Sequence, residues 1–182
     1  MVNDSVLTAD ALKRPIRSVP DFPKPGIIFR DVTTLLKDPG ALRSAAELLL
    51  APFRGRRIDK VVGVESRGFI FGALIAEHLH AGFVPARKRG KLPSETRKAE
   101  YSLEYGTDII EIHTDAISPG DVVVLHDDLL ATGGTMKAAL ELVVSMGGDV
   151  AGISVLIELC FLDGAKKLLP YEVSSVVRYE SE

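Results

Sequence analysis

Cysteine and aromatic residues are scarce in this chain of 182 residues, which has one cysteine, no tryptophan and 6% aromatic residues. A single cysteine, Cys160, excludes an intrachain disulfide, and chains without disulfides are typical of reducing compartments. Residues 1–10 carry no apolar segment behind a basic start, so the sequence shows no secretory signal. We therefore expect a cytoplasmic protein.

Long hydrophobic runs are lacking as well. The longest apolar stretch covers residues 68–76, far fewer than the roughly 20 residues needed to cross a bilayer. The formal net charge is -3, so no large excess of positive charge would attract nucleic acid or an anionic surface. These features predict neither a membrane nor a nucleic-acid partner.

The composition is that of a globular domain, with 46% hydrophobic and 26% charged residues. No internal repeat, low-complexity tract or change in composition marks a boundary along the chain. The length is sufficient for one substantial hydrophobic core. We predict a single domain over residues 1–182.

Three apolar runs rich in β-branched residues predict buried strands at residues 60–64, 121–125 and 152–157, and a fourth is expected at 173–179. Near-continuous hydrophobicity, rather than strict alternation, is typical of parallel strands that are covered on both faces. The strands are therefore expected to form a parallel sheet.

Helical patterns lie between these strands. One begins at Pro39 after the N-cap candidate Asp38, and a second covers residues 69–80. A third contains Met136 and ends near Gly147. The alternation predicts an α/β fold with a mostly parallel, twisted sheet flanked by helices, in which ligands bind beyond the carboxyl ends of the strands.

The most informative stretch follows the predicted strand at 121–125. Two carboxylates, Asp127 and Asp128, precede a Thr-Gly-Gly-Thr turn at 132–135 that opens a helix. Glycines let successive backbone N–H groups converge, and the helix N-terminus adds partial positive charge, which suits a phosphate. The carboxylates can accept hydrogen bonds from two vicinal hydroxyls. A ribose 5-phosphate presents both features together.

The alternative is that the aspartates only end a strand and the glycines only begin a helix. A glycine-rich turn alone would be weak evidence, but the whole pattern in its strand–loop–helix context favours a binding site. The turn is not a Walker A loop because no Gly-Lys-Ser/Thr follows it. It also lacks the Gly-x-Gly-x-x-Gly spacing of nicotinamide-cofactor sites.

This stretch resembles the phosphoribosyl pyrophosphate (PRPP) motif of type I phosphoribosyltransferases. The resemblance implies that Asp127 and Asp128 bind the ribose hydroxyls. The loop that would hold the 5-phosphate consists of Ala131, Thr132, Gly133, Gly134 and Thr135. One departure is His126, where the family usually has an apolar or acidic residue. The resemblance further implies Mg²⁺, bound mainly through PRPP and possible for Asp127 or Asp128, and a homodimer.

A second anion site is predicted directly after the strand at 60–64. Ser66 and Arg67 there offer a hydroxyl and a guanidinium, beside backbone N–H groups at the start of a helix. A packed turn with a surface arginine is the alternative interpretation. The stretch resembles the pyrophosphate loop of the adenine-specific branch of the family, which implies that both residues contact pyrophosphate.

A basic segment, residues 87–98, contains six lysines and arginines. Its glycine, proline and polar residues indicate a mobile loop that could close over an anion and exclude water. Together with residues 101–106, it resembles the catalytic hood loop of the adenine branch. The resemblance implies pyrophosphate contacts for Lys88 and Lys91, with Arg87 close to these or reaching a neighbouring subunit. For Glu104 it implies acid–base catalysis at the purine N7, the alternative being an exposed strand-edge carboxylate.

An apolar, proline-rich stretch, residues 22–31, is usually a structural loop, but it resembles the adenine-binding segment of the same branch. Ile28 and Arg30 would then offer backbone groups to the base edge, and Phe29 would pack on its face. This assignment depends on the resemblance.

The resemblance implies transfer of the 5-phosphoribosyl group of PRPP to adenine, in purine salvage. Three alternatives remain open from the sequence: transfer to hypoxanthine, guanine, xanthine or orotate; a PRPP-sensing regulator without turnover; and a catalytically inactive subunit. The residues before 22 are too few for a winged-helix DNA-binding module, and the basic hood and Glu104 favour turnover.

Overall fold

The computed structural model describes residues 6–102 and 107–182. Its helices and strands follow one another along the chain as α1 (Ala9–Lys13), β1 (Arg17–Val19), β2 (Phe29–Asp31), α2 (Thr33–Leu36), α3 (Pro39–Leu50), β3 (Lys60–Val64), α4 (Gly68–His78), β4 (Gly82–Lys88), β5 (Thr96–Ser102), β6 (Thr107–His113), β7 (Val122–Leu130), α5 (Gly134–Ser145), β8 (Asp149–Leu159) and β9 (Val173–Tyr179). Short 3₁₀ helices cover Ala51–Phe53, Cys160–Leu162 and Gly164–Leu168.

Seven strands form one sheet in the order β5-β6-β4-β3-β7-β8-β9. Strands β4, β3, β7, β8 and β9 run parallel to one another, whereas β6 is antiparallel to both β4 and β5. Strands β1 and β2 form a separate antiparallel pair. The predicted fold class, a mostly parallel sheet flanked by helices, is confirmed.

The core lies on both faces of the sheet. Helix α5 packs one face through residues such as Met136 and Val143, and α1, α3 and α4 cover the other through residues such as Phe71. Neighbouring residues of a strand point to opposite faces, so Val123 joins the first cluster and Val124 the second. Burial on both sides explains why the central strands are almost continuously apolar.

The predicted strands at 60–64 and 173–179 coincide with β3 and β9, while β8 is longer than the predicted 152–157. All three predicted helices are present, and the Asp38 side chain accepts a hydrogen bond from Ala41 N–H at the start of α3, as an N-cap does. Short strands β1 and β2 were not predicted.

The prediction for residues 121–125 was too short. Strand β7 continues through Leu130, so Asp127 and Asp128 lie in the strand and not in a loop after it. The physical reason is the long partner β8, which pairs with β7 from Val122 to Leu130. The backbone beneath the two carboxylates is therefore fixed by the sheet.

The basic segment is also more regular than the sequence predicted. Arg87 and Lys88 end β4, and Arg97 and Lys98 lie in β5, which leaves residues 89–95 as the connection. Polar and charged strand residues are tolerated here because this side of the sheet is partly open to solvent. Among the residues that the structure describes, no helix is long and apolar enough to span a membrane.

The buried strand β8 provides a test of the packing. Leu156 is 0% exposed, whereas Leu169 is 73% exposed, and the same truncation can be made at both positions. We expect Leu156→Ala to lower the free energy of unfolding by about 2–5 kcal/mol, because it leaves a cavity in the core. Leu169→Ala should change it by no more than about 0.5 kcal/mol. Urea denaturation measures both, and equal effects would contradict this account of the core.

Candidate active site

The site lies at the ends of two neighbouring parallel strands, β3 and β7, whose next strands along the chain, β4 and β8, lie on opposite sides of the pair. Strand β3 pairs with β4 on one side and with β7 on the other, although β7 is distant in sequence. A crevice therefore opens beyond the carboxyl ends of β3 and β7, at the switch point where open α/β sheets bind ligands. The segment after β3 and the last residues of β7 face each other across it.

A glycine allows the two sides to approach closely. Gly68 begins helix α4, and a Cβ atom at this position would lie 2.9 Å from Oδ1 of Asp127 and 3.1 Å from its Cα. Because backbone and side chain already fill that space, any larger residue would push the helix away from β7. The absence of a side chain at Gly68 thus brings residues 65–67 next to the two carboxylates.

Arg67 is a direct counter-ion of the paired carboxylates. Arg67 Nε lies 2.7 Å from Oδ2 of Asp128, whose side chain is only 6% exposed. Burial raises the pKa of Asp128, and the charge of Arg67 opposes that change. Burial also raises the pKa of Asp127 well above its usual value, and the neighbouring charge of Asp128 adds to the effect. Two such groups are suited to accept hydrogen bonds from a ligand that restores lost solvation.

His126, which departs from the family pattern, directly precedes these carboxylates in β7 and is completely buried. Its Nδ1 lies 2.9 Å from the carbonyl oxygen of Ser154, which can only accept, so Nδ1 carries the proton and donates. Burial lowers the pKa of His126 to about 4. His126 is therefore a neutral core residue that joins β7 to β8.

The turn between β7 and α5 is shaped by two glycines. Gly133 has a φ of 77°, in the left-handed region that favours glycine, and it caps the N-terminus of α5. A Cβ atom on Gly164 would lie 2.1 Å from the carbonyl oxygen of Ala131, so the later segment packs directly on the turn. The first amides of α5 have no acceptor within the helix and are available to an anion.

Two cavities meet at Asp127. One, of about 510 Å³, is lined by Glu65, Ser66, Arg67, Lys88, Asp127, Asp128 and Leu129. The other, of about 100 Å³, is lined by Asp127 and by residues 129–136 around the glycine turn. A ligand that contacts Asp127 can therefore extend in both directions, toward the basic side chains and toward the amides of the turn.

Glu65 organises the basic residues. Arg87 approaches its carboxylate with Nε and Nη2, each at 3.2 Å, and the backbone N–H of Lys88 donates to Oε2 at 3.0 Å. The Lys91 ammonium lies 3.7 Å from Oε1. Burial opposes ionisation of Glu65, but the bonds from Arg87 and Lys88 outweigh it and lower the pKa. The lysine side chains are more than half exposed, so their charges can reach a bound anion.

Phe29 connects strand β2 to the same site. The guanidinium carbon of Arg67 lies 5.0 Å from the centre of the Phe29 ring, a cation–π contact, and the Phe22 ring meets Phe29 edge-on at 5.2 Å. Arg67 thus touches both the carboxylate pair and the aromatic residue of the 22–31 segment. Ile28 and Phe29 are partly buried, and Arg30 is buried.

A comparison with protein families matches residues 31–179 to the phosphoribosyl transferase domain. This chain belongs to the phosphoribosyltransferase family. The matched range contains the carboxylate pair, the glycine turn and the basic segment. The motif that first indicated the family is therefore part of a match that covers most of the chain.

Phosphoribosyltransferases named for adenine are among the relatives. Adenine phosphoribosyltransferase of Methylobacterium nodulans is 56% identical over 175 residues, which are 95% of this chain and 97% of that protein. The crystal structure of the Rhodothermus marinus enzyme superposes with a TM-score of 0.90 at 55% identity, covering 94% of this chain and 98% of that one. The Saccharomyces cerevisiae enzyme, complexed with an imino-altritol bisphosphate and adenine, gives a TM-score of 0.88 at 40% identity over 93% and 98% of the two chains.

Most of the residues predicted for the phosphoribosyltransferase site are close together. Ser66, Arg67 and Lys88 line one cavity with the two aspartates, and Ala131–Thr135 line the adjoining one. Arg87 and Lys91 reach this region through Glu65, and Phe29 reaches it through Arg67. Glu104 lies outside the described residues. The roles of all these residues remain predictions.

Sequence reasoning missed two residues that shape the site. Glu65 had a usable signal, because it is the first residue after a buried strand and directly precedes Ser66. Gly164 had none, since it follows the glycine turn by some thirty residues and only the fold brings it to Ala131. Among the described residues no group of three or more His, Cys, Asp or Glu side chains is arranged to hold a metal ion.

The raised pKa of Asp127 predicts a pH-dependent gain in stability when its charge is removed. In the folded state this carboxyl binds a proton at higher pH than in the unfolded chain, so stability falls as pH rises between the two pKa values. Asp127→Asn removes the buried charge, and its amide oxygen can still accept from Asp128 N–H, as Oδ1 does now at 2.8 Å. We expect the variant to unfold at a higher temperature than the native protein at neutral pH.

Thermal unfolding over a pH series measures this difference, which should shrink as the solution becomes acidic and Asp127 takes up a proton. Asp128→Asn is the matched control, and we expect a smaller gain from it because it leaves Arg67 without its counter-ion. A gain for Asp127→Asn that does not vary with pH would show that the carboxyl has an ordinary pKa.

Proposed function

We propose that this protein transfers the 5-phosphoribosyl group of PRPP to adenine, giving AMP and pyrophosphate in purine salvage. The observation that carries the proposal is the position of Asp127, which lines both the cavity with the basic side chains and the pocket at the glycine turn. PRPP has its ribose hydroxyls between two anionic groups, so its three parts correspond to the three parts of the site. Relatives named adenine phosphoribosyltransferase support the choice of base.

The ribose 5-phosphate is proposed to bind at the end of β7 and the start of α5. Asp127 and Asp128 would accept hydrogen bonds from the 2′ and 3′ hydroxyls. The residues proposed for the 5-phosphate are Ala131, Thr132, Gly133, Gly134 and Thr135. Support comes from the left-handed Gly133 and from the free amides of the α5 N-terminus, which favour a phosphate monoester.

The pyrophosphate is proposed to bind in the larger cavity. Ser66, Arg67, Lys88 and Lys91 would contact its oxygens, with Arg87 held beside them by Glu65. As the bond between C1 and the pyrophosphate oxygen breaks, negative charge accumulates on the leaving group, and these cations stabilise it. Asp127 or Asp128 would favour positive charge that develops on the ribose.

Magnesium is proposed as the cofactor. The oxygen donors at the site suit this ion, since Mg²⁺ in proteins binds one or two carboxylates together with substrate phosphates and water. Asp127 or Asp128 would supply the protein carboxylate that holds the ion, and PRPP would supply most of the remaining ligands. When bound, Mg²⁺ would neutralise part of the charge of the leaving pyrophosphate.

Adenine is proposed to bind beside β2. Ile28 and Arg30 would offer backbone groups to the base edge, and Phe29 would pack on its face. The contact between Phe29 and Arg67, beside the carboxylate pair, supports this placement of the base. Adenine N9 forms the new bond to C1 as pyrophosphate departs. Glu104 would handle the proton at N7, a proposal that derives from the family resemblance.

We further propose that residues 1–182 act as one domain, that the chain forms a homodimer and that it works in the cytoplasm. The family match over residues 31–179 supports the first of these. The dimer is carried over from the family resemblance. The location is inferred from the single cysteine of the sequence.

The proposed reaction is tested by pyrophosphate release from PRPP and Mg²⁺ in the presence of single bases. We expect rapid release with adenine and little with hypoxanthine, guanine, xanthine or orotate, because a site that hydrogen-bonds one base edge rejects the others steeply. Calorimetry with PRPP and Mg²⁺ should show binding to the native protein and much weaker binding to Asp127→Asn. Release with another base would reassign the substrate, and PRPP binding without release would indicate a regulator.

The acid–base role of Glu104 is tested by Glu104→Gln. We expect kcat to fall by about 10²–10⁴-fold, the usual contribution of general acid–base catalysis, while the dissociation constant of PRPP changes little. Glu100→Gln is the matched control, because Glu100 is an exposed residue of the neighbouring strand β5 and should keep normal turnover. Near-normal kcat in Glu104→Gln would remove this residue from the mechanism.

A further inference from the structure

The last residue of strand β9, Tyr179, lies beneath the segment proposed to bind adenine. The guanidinium carbon of Arg30 lies 4.0 Å from the centre of the Tyr179 ring, and the ammonium of Lys13 lies 4.8 Å from the same centre. One aromatic ring near the end of the chain therefore contacts two cations from its beginning. The backbone of Tyr179 is itself fixed by pairing with Leu159 in the sheet.

The ring of Tyr179 compensates the buried guanidinium of Arg30 for lost solvation. Arg30 is only 8% exposed, its Nη1 donates to Ser18 Oγ, and its buried Nε has no hydrogen-bond partner among the described residues. A buried guanidinium needs compensation for lost solvation, and the face of an aromatic ring provides it. Without the Tyr179 ring, Arg30 would retain Ser18 as its described polar partner and would be drawn toward solvent.

Strand β2 is not paired with the main sheet. Among the described strands it pairs with β1 alone, in a two-stranded sheet separate from the seven-stranded one. Successive residues of a strand point to opposite sides, so Phe29 contacts Arg67 of the active site while Arg30 contacts Tyr179. These two cation–π contacts hold β2 from both sides.

We infer that Tyr179 is a positioning residue for adenine: its ring holds Arg30, and through Arg30 it sets the place of the β2 backbone that faces the base. The inference rests on the proposed function, because that proposal places adenine beside β2. The contact between Arg30 and Tyr179 is present in the structure whatever the function is. A shift of β2 weakens binding of adenine before and during reaction alike, so the effect falls on KM for adenine. PRPP is proposed to bind at β7, α5 and the segment after β3, whereas Tyr179 pairs with Leu159 of β8 and its ring contacts Lys13 and Arg30.

The test compares Tyr179→Leu with Tyr179→Phe. Leucine fills much of the space but has no aromatic face, whereas phenylalanine keeps the face and loses only the hydroxyl. We expect Tyr179→Leu to raise KM for adenine by about 2- to 30-fold, the range of a cation–π contact, with KM for PRPP unchanged. Tyr179→Phe should keep KM for adenine at the native value. Tyr171→Leu is the matched control, because Tyr171 packs against the core on the opposite face of the sheet.

Hydrogen exchange of residues 17–31 provides a readout that needs no activity. Tyr179→Leu should speed exchange there, and Tyr179→Phe should not. If Tyr179→Leu fails to fold, Arg30→Met tests the contact from its other side, since methionine keeps an apolar stem without the cation. It should raise KM for adenine in the same way. Where Tyr179→Leu does fold, combining it with Arg30→Met should have little effect beyond that of either change alone.

The outcomes separate the two proposals. If the native protein does not use adenine, the proposed function is wrong, and hydrogen exchange alone decides whether Tyr179 holds β2. If the native protein uses adenine, unchanged KM for adenine in Tyr179→Leu and Arg30→Met would overturn the positioning role. An equal rise in KM for PRPP, or a failure of phenylalanine to restore function, would overturn it too.

Discussion

Two neighbouring carboxylates at the end of a buried strand, with one guanidinium beside them, are the arrangement on which the rest of this site depends. Burial makes the negative charge of Asp127 and Asp128 costly, and Arg67 offsets only part of that cost. The pair is tolerated because the β7–β8 ladder fixes its backbone and because Gly68 lets helix α4 approach without displacing it. Apart from its ion pair with Arg67, Oδ2 of Asp128 is buried without a hydrogen-bond partner among the described residues, and a ligand hydroxyl would supply one.

The positive charges around this pair are organised by another carboxylate. Glu65 holds Arg87 and the Lys88 backbone and attracts Lys91, so cations that would repel one another lie on one side of the cavity. The side chains of the two lysines remain more than half exposed, so their charges can reach an anion. The two aspartates thus belong to β7 and the cations to β4 and to the segments after β3 and β4, and Arg67 joins the two groups through its contact with Asp128.

Strand β2, in the segment proposed to face the base, is held in a different way from β7. Strands β1 and β2 lie outside the main sheet, and β2 is joined to its surroundings through aromatic and guanidinium groups. Such contacts are softer than a ladder of backbone hydrogen bonds. The residues proposed for the sugar phosphate lie on or directly after strands of the main sheet, whereas those proposed for the base lie on a strand outside it.

The sequence by itself determined the class of fold, the existence of the parallel strands β3, β7, β8 and β9, and the residue types of the candidate site. Each of these is written in a local pattern, such as an apolar run, a helix cap or a glycine turn beside paired acids. The sequence did not determine that Asp127 and Asp128 lie within a strand, since the length of β7 is set by pairing with β8. Nor could it bring Gly164 to Ala131, Glu65 to Arg87 or Tyr179 to Arg30. Those contacts join segments far apart in the chain, and only the order of strands in the sheet brings them together.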